Sequence, residues 1–166
     1  MGAGKTTVGP LVAGLLGWDF VDMDHAIETR TGRAVAVLFA ERGEDAFRAE
    51  ERAVANELRT RSRLVVAAGG GAFTREDTRN LLKQSGIVVW LRCGIETILE
   101  RVPADGTRPL AANRAIMKNL LSERESSYRL ADVTVESGGS SAEEVARRVV
   151  EAIRERTPLI QGAARP

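Results

Sequence analysis

The sequence predicts an α/β fold in which helices cover both faces of a parallel β-sheet. Stretches with the period of an amphipathic helix alternate along the chain with short apolar stretches of strand length. Two of the short stretches, residues 64–68 and 87–91, are apolar without alternation, which is typical of strands buried on both faces. The triple glycine Gly69–Gly71 follows the first of them, at the sheet edge where α/β proteins bind ligands.

Length and composition predict a single domain. The 166 residues are 43% hydrophobic, enough for one compact core, and we expect a domain over residues 1–156 followed by a flexible tail, 157–166. A net charge of +1 gives no global field that would attract nucleic acid or a membrane. The single cysteine, Cys93, excludes an intramolecular disulfide, and no apolar run has the length of a membrane helix. We therefore expect a monomeric, cytoplasmic protein that binds neither nucleic acid nor membranes.

The first seven residues, Met1–Thr7, match the end of a phosphate-binding loop, G-x-x-x-x-G-K-[ST]. Gly4 lets backbone N–H groups close around a phosphate, and Lys5 adds a positive charge. The Thr6 hydroxyl is a suitable Mg²⁺ ligand. The loop leads into a helix that ends at Gly17, so the positive end of the helix dipole faces the anion. A glycine-rich start that occurs by chance is the alternative.

Residues 19–24 predict a short strand that ends in two aspartates. Alternation along a strand places Asp22 and Asp24 on the same face, where both can approach one metal ion or one hydroxyl. The alternative is structural, because Asp24 precedes a helical stretch, residues 25–29, and aspartate is a good N-cap.

Arg48 and Glu51 lie on a predicted helix, residues 44–61, which follows a short helix that Gly43 closes. Their spacing allows an ordinary surface ion pair, worth only tenths of a kcal/mol. The next segment, Gly69–Gly71, permits a close approach of the backbone to a ligand. A flexible turn is the alternative there, but a turn rarely requires three glycines in succession.

The second half of the chain continues the alternation of helices and strands. A polar segment that contains two prolines and Arg108, residues 103–112, predicts a mobile lid. Ser141 and Glu144 match a capping box that opens the final helix. The remaining predicted elements are helices over residues 74–84, 95–102 and 113–130, and a strand over residues 133–135.

The ordered motifs resemble one known family, the shikimate kinases, from Met1 to about Val135. The motifs are Gly2-Ala3-Gly4-Lys5-Thr6-Thr7, Phe20-Val21-Asp22-Met23-Asp24, Gly43-Glu44 with Phe47-Arg48, Gly69-Gly70-Gly71, Arg108-Pro109-Leu110 and Arg124-x-x-x-Tyr128. The resemblance implies a P-loop kinase fold, a three-layer sandwich similar to the nucleoside monophosphate kinases, with strand order 2-3-1-4-5. It also implies phosphoryl transfer from ATP to the 3-hydroxyl of shikimate, with Mg²⁺ as the cofactor.

The resemblance also implies roles for individual residues. The groups that would bind ATP are Gly2, Ala3, Gly4, Lys5, Thr6, Thr7, Arg101 and Arg108, with Arg101 against the adenine. Those that would bind shikimate are Asp24, Arg48, Gly70, Gly71 and Arg124, from a substrate-binding region over about residues 25–61 and from two later segments. Thr6 and Asp22 would support the metal. Lys5, Asp24 as the candidate base, and Arg108 would be catalytic.

The chain departs from the family pattern at its start. The first glycine of the loop pattern would lie two residues before Met1, and the strand that feeds the loop would precede it. We therefore expect that the first strand is missing and that the natural gene product begins upstream. Two other functions remain open at this point: a kinase of the same fold with another acceptor, such as gluconate, and a non-catalytic nucleotide binder.

Overall fold

A computed structural model describes residues 2–101 and 114–156 of the chain. In these ranges helices and strands alternate, as predicted. The helices are α1 (Lys5–Leu16), α2 (Met23–Thr31), α3 (Val35–Leu58), α4 (Glu76–Ser85), α5 (Ile95–Arg101), α6 (Arg114–Tyr128) and α7 (Ala142–Arg156). The strands are β1 (Asp19–Asp22), β2 (Leu64–Ala67), β3 (Val89–Arg92) and β4 (Val133–Glu136), and a 3₁₀ turn covers Ala72–Thr74.

Several helix ends lie where the sequence predicted them. α1 and α2 end at Gly17 and Gly32. α3 is interrupted at Gly43, whose φ of 77° and ψ of 177° are not helical, so the two predicted helices are continuous across a kink. The capping box of α7 is confirmed: the Ser141 hydroxyl accepts from the Glu144 N–H at 3.2 Å, and the Glu144 carboxylate accepts from the Ser141 N–H at 3.0 Å.

The strands form two parallel pairs. β1 pairs with β2 in the register Asp19 to Leu64, and β3 pairs with β4 in the register Val89 to Val133. In the predicted order 2-3-1-4-5, strand 1 is the strand expected before Met1, so β1 to β4 correspond to strands 2 to 5. Both observed pairs are neighbours in that order. The predicted parallel α/β fold class is therefore confirmed, whereas the order across the whole sheet stays a prediction.

Each strand pair carries its own hydrophobic cluster. One cluster packs α1 and α7 together, around Val12, Ala146 and Val149, against β3 and β4. The other packs α2 and α3 together, around Met23 and Leu38, against β2. α1 also contacts β1 and β2, so this helix packs against both strand pairs. Its amino end is therefore fixed relative to both.

A cavity of about 990 Å³ lies between the strand pairs. Apolar side chains of both pairs line it, among them Val65 and Leu91, together with Val12 of α1. Lys5 and Gly70 also line the cavity, so it extends to the loops at the carboxyl ends of the strands. This is the edge at which the sequence predicts the ligand site.

None of the helices in the described ranges combines the length and the apolar character that crossing a bilayer requires. The longest of them, α3, has 24 residues, but charged side chains recur along it from Glu41 onward.

Candidate active site

The amino end of α1 and the loop before it form one side of the site. Gly4 is the N-cap of α1, and its φ of 91° lies in the left-handed region that favours glycine. Its carbonyl oxygen accepts hydrogen bonds from the N–H groups of Thr7 and Val8, at 3.1 and 2.7 Å. No side chain caps this helix end, and its first turn contains no acidic residue. The loop therefore meets the positive end of the helix dipole, an arrangement that binds phosphate groups.

Thr6 and Asp22 connect the phosphate loop to the end of β1. The Thr6 hydroxyl donates a hydrogen bond of 2.9 Å to Oδ2 of Asp22. The other carboxylate oxygen, Oδ1, accepts from the N–H of Asp24 at 3.0 Å, so Asp22 is the N-cap of α2. One carboxylate thus holds the loop and the start of the next helix in a fixed relation.

The predicted strand over residues 19–24 is wrong at its end. β1 stops at Asp22, and Asp24 lies in the first turn of α2. The alternative with Asp24 as the cap is also wrong, because Asp22 has that role and the helix starts earlier than predicted. The capping bond brings Asp24 to the carboxyl end of β1, so both aspartates still lie at the predicted edge of the sheet.

The Thr6–Asp22 pair suits Mg²⁺. Its donors are hydroxyl and carboxylate oxygens, and Mg²⁺ usually takes one or two protein ligands and completes its shell with phosphate oxygens and water. Among the residues that the structure describes, no group of three or more His, Cys, Asp or Glu side chains could hold a metal. The hydroxyl of Thr6 and the carboxylate of Asp22 therefore fit a Mg²⁺ ion that takes its other ligands from phosphate oxygens and water.

Arg48 lies on α3 between two glutamates of the same helix. Its Nη1 donates to Oε2 of Glu51 at 2.9 Å. Its Nε and Nη2 both donate to Oε1 of Glu44, at 3.1 and 3.0 Å. The guanidinium carbon is 5.1 Å from the ring centroid of Phe47, close enough for a cation–π contact. These contacts leave the Arg48 side chain only 13% exposed and restrict its orientation.

The triple glycine lies directly against these charged side chains. A Cβ added to Gly71 would lie 2.3 Å from Nη2 of Arg48, so a larger residue there would displace the guanidinium. A Cβ on Gly69 would lie 2.8 Å from Oε1 of Glu51 and 3.5 Å from Oδ1 of Asp24. The segment therefore allows Asp24, Glu51 and Arg48 to approach the backbone closely, which a generic flexible turn does not require.

Glu51 is buried, with only 1% of its side chain exposed. Among the described residues, its Oε1 has no hydrogen-bond partner. Burial raises the pKa of Glu51 overall, although the hydrogen bond and charge of Arg48 lower it in part. Burial lowers the pKa of Arg48, but the bonds to Glu51 and Glu44 raise it overall. The ion pair therefore keeps Arg48 charged, but it does not fully offset the effect of burial on the pKa of Glu51.

The alternative that Arg48 and Glu51 form an ordinary surface ion pair is wrong, because the pair is buried. No role in the site was predicted for Glu51. A signal was present, because Phe47, Glu51 and Val54 have the i, i+4, i+7 spacing of one helix face, and that face of α3 is buried. A carboxylate on an apolar helix face beside an arginine indicates a buried pair.

Arg124 and Tyr128 bring α6 to the same place. The Tyr128 hydroxyl donates a hydrogen bond of 2.9 Å to the carbonyl oxygen of Gly70. Burial raises the pKa of Tyr128, and the charge of Arg124 acts in the opposite direction. The charge of Arg124 also acts on Glu51. α6 therefore contributes a second arginine beside Arg48.

The structure brings most of the predicted residues to one edge of the sheet. The residues that meet there are Gly2, Ala3, Gly4, Lys5, Thr6, Thr7, Asp22, Asp24, Arg48, Gly70, Gly71 and Arg124. Arg108, the lid over residues 103–112 and the tail over residues 157–166 lie outside the described residues. Arg101 ends α5, but its side chain is also outside the described part of the structure.

Comparisons with known proteins agree with this geometry. The sequence model of a family described as shikimate kinase matches residues 1–154. A shikimate kinase of Halorhodospira halophila is 48% identical over 158 residues, which are 93% of this chain and 89% of that protein.

Solved structures agree as well. A shikimate kinase from Acinetobacter baumannii in complex with shikimate matches with a TM-score of 0.89 and 42% identity, over 95% of this chain and 90% of that one. A gluconokinase from Sinorhizobium meliloti matches with a TM-score of 0.64 over 99% of this chain and 93% of that one, but at 16% identity it shows the fold alone. The chain belongs to the shikimate kinase family.

Proposed function

We propose that this chain transfers the γ-phosphoryl group of ATP to the 3-hydroxyl of shikimate, giving ADP and shikimate 3-phosphate. The convergence of Arg48, Arg124 and Asp24 around Glu51 carries the proposal. Arg48 donates to the Glu51 carboxylate at 2.9 Å, Asp24 and Glu51 lie together against Gly69, and the charge of Arg124 acts on the same carboxyl. Shikimate has a carboxylate, which the two arginines can bind, and ring hydroxyls, one of which can donate a hydrogen bond to the carboxylate of Asp24. The relative from Acinetobacter baumannii, whose solved structure holds shikimate, supports the same substrate.

The phosphate loop binds ATP in this proposal. The N–H groups of the loop and of the first turn of α1, residues 2–7, hold the phosphates, and Lys5 neutralises charge on the outer ones. Thr6 and Asp22 would hold Mg²⁺, Asp22 through a water molecule. When bound, Mg²⁺ neutralises charge on the phosphate oxygens.

Asp24 is the candidate base. Its carboxylate takes the proton of the 3-hydroxyl while that oxygen attacks the γ-phosphorus. The bond between this phosphorus and the bridging oxygen of ADP breaks, and the proton leaves Asp24 for solvent after the product departs. Such a reaction depends more on positioning and charge neutralisation than on covalent chemistry by the protein.

Arg48 and Arg124 bind the shikimate carboxylate, and the backbone at Gly70 and Gly71 contacts the substrate. Arg48 is held by Glu44 and Glu51 before any ligand arrives. A guanidinium whose orientation is already fixed loses little freedom on binding, so more of its interaction energy contributes to affinity.

Some assignments rest on the resemblance alone. Arg101 against the adenine and Arg108 over the phosphates, within a lid, are part of the proposal. The cytoplasmic location, the monomeric state and the expectation that the protein binds neither nucleic acid nor membranes also stay predictions.

The test is a coupled assay of ADP release with shikimate or gluconate as the acceptor. We expect release that depends on shikimate and on Mg²⁺, with no turnover of gluconate. Asp24→Asn should lower kcat by about 10²–10⁴-fold, the usual contribution of a general base. Asp19→Asn is the matched control, because Asp19 lies at the opposite end of β1 in an exposed ion pair with Arg61.

Turnover of gluconate without turnover of shikimate would support the alternative kinase. ATP binding without transfer to either acceptor would support the nucleotide binder. An Asp24→Asn variant with normal kcat would remove Asp24 as the base and leave the choice of substrate standing.

A further inference from the structure

We propose that the Tyr128 hydroxyl is a positioning group that ties α6, the helix of Arg124, to the glycine loop (residues 69–71), so that the arginine and the loop backbone are placed together for the substrate. The proposal rests on the proposed function for its kinetic consequence. Its structural part concerns α6 and residues 69–74 and holds for the protein without substrate.

The first half of the link is the bond from Tyr128 to Gly70. The hydroxyl donates to the Gly70 carbonyl oxygen at 2.9 Å. That carbonyl belongs to the same planar peptide unit as the N–H of Gly71, and in a trans peptide the two point in opposite directions. Holding the carbonyl toward α6 therefore also fixes the direction of the Gly71 N–H.

The fixed peptide lies within the substrate site. Gly69, just before it, is packed against Glu51 and Asp24, and Gly71 is packed against the guanidinium of Arg48. Glycine peptides rotate easily because no Cβ restricts them. The carbonyl oxygens of Gly69 and Gly71 accept from Ala72 and Thr74 within the turn, and the Tyr128 hydroxyl holds the Gly70 carbonyl between them.

The second half of the link is the helix that Tyr128 shares with Arg124. Arg124 and Tyr128 are four residues apart on α6, so their side chains lie on the same face of the helix. The charge of Arg124 acts on the Tyr128 hydroxyl, so the two side chains lie near each other on that face. The hydroxyl thus ties the helix that carries Arg124 to the glycine loop, and a phenylalanine at this position could not make that bond.

The ring of Tyr128 is itself held in place. It packs against Trp90 of β3, with ring centroids 5.8 Å apart and an interplanar angle of 42°. α6 also contacts the 3₁₀ turn that follows the glycines. The ring contact depends only on the aromatic face, so removing the hydroxyl leaves the packing intact and separates the two contributions.

The test compares Tyr128→Phe with Trp90→Phe. For Tyr128→Phe we expect the KM for shikimate to rise about fivefold, the effect of losing one neutral hydrogen bond. The KM for ATP should stay within about twofold of the wild type, and kcat should change less than the shikimate KM. Trp90→Phe keeps an aromatic partner for the Tyr128 ring and keeps the hydroxyl, so it should lower the melting temperature through lost apolar contact with the shikimate KM nearly unchanged.

A second readout needs no substrate. Hydrogen exchange of the amides in residues 69–74, followed by mass spectrometry on ligand-free protein, should speed up in Tyr128→Phe and not in Trp90→Phe. Unchanged exchange in Tyr128→Phe, or an equal rise of both KM values, would overturn the positioning role. A wild-type protein inactive on shikimate would overturn the proposed function, and the exchange result would still decide the role of Tyr128.

Discussion

The phosphate loop and the carboxylate clamp, which consists of Arg48, Glu51 and Arg124, are built in different ways. The loop consists of consecutive residues, and it acts through backbone groups at the start of one helix. The clamp is assembled from two helices that are far apart in the sequence, α3 and α6, and it includes a fully buried carboxylate. A local motif can therefore be identified from a few letters, whereas a site made by tertiary contacts depends on which helix faces are buried.

This difference predicts that a substitution in the loop impairs the reaction of ATP, whereas one in the clamp impairs shikimate binding. Substitutions in the loop should have the largest effect. Lys5→Ala should lower kcat/KM by about a hundred- to a thousandfold, since the lysine charge would no longer stabilise the phosphates in the transition state. Shikimate affinity, measured by isothermal titration, should stay near that of the wild type.

Lys83→Ala is the control for removal of a lysine. Lys83 pairs with Asp132 and the Leu130 carbonyl at the amino ends of β3 and β4, away from the loop. An equal loss of activity in both variants would mean that the Lys5 effect is a general effect of charge or stability.

The clamp should show the next largest effect, with the opposite ligand preference. Arg48→Lys should weaken shikimate binding by about ten- to a hundredfold, because one ammonium cannot reproduce the geometry of the guanidinium fork. ATP binding should change little. Isothermal titration with each ligand separately measures the difference.

Arg52→Lys is the matched control, because Arg52 is an exposed neighbour on α3 that pairs with Asp77. Equal weakening of ATP and shikimate in Arg48→Lys would place Arg48 outside the substrate clamp.

The smallest expected effect concerns the buried carboxyl of the clamp. Because burial raises the pKa of Glu51 in the folded protein, the folded state holds this proton more tightly than the unfolded state. The contribution of Glu51 to stability is therefore largest below its unfolded pKa of about 4.3 and falls as the pH rises toward the folded pKa. Glu51→Gln lacks this titration, so the variant should gain stability relative to the wild type over that interval.

Melting temperatures of both proteins between pH 4 and pH 7 measure this effect. Glu44→Gln removes the exposed carboxylate that also contacts Arg48, and it is the control for the loss of one acidic group. A stability difference between wild type and Glu51→Gln that does not change with pH would contradict the buried position of the carboxyl.

The sequence predicted what depends on neighbouring residues. Gly4 has the backbone conformation that the loop pattern requires, and Ser141 forms the predicted capping box, because in both cases the partners lie within a few positions. The alternation of helices and strands was confirmed for the same reason. Each element is visible in its own stretch of sequence.

Features that depend on competition or distant contacts were not predicted. Asp22 and Asp24 both suit an N-cap, and only the packing of α2 decides that the helix begins at Met23. Glu51 resembles a surface residue until the apolar face of α3 is oriented toward the core. The bond from Tyr128 to Gly70 spans 58 positions, and no local pattern marks it.

Phosphorus NMR of the chain with Mg²⁺, ATP and shikimate tests the central claim most directly. The proposed function predicts one new phosphate monoester signal, coupled to the proton on C3 of shikimate, that grows in step with ADP. Release of inorganic phosphate without this signal, or a phosphate on another hydroxyl, would contradict the account of how Asp24 and the arginine clamp place the acceptor.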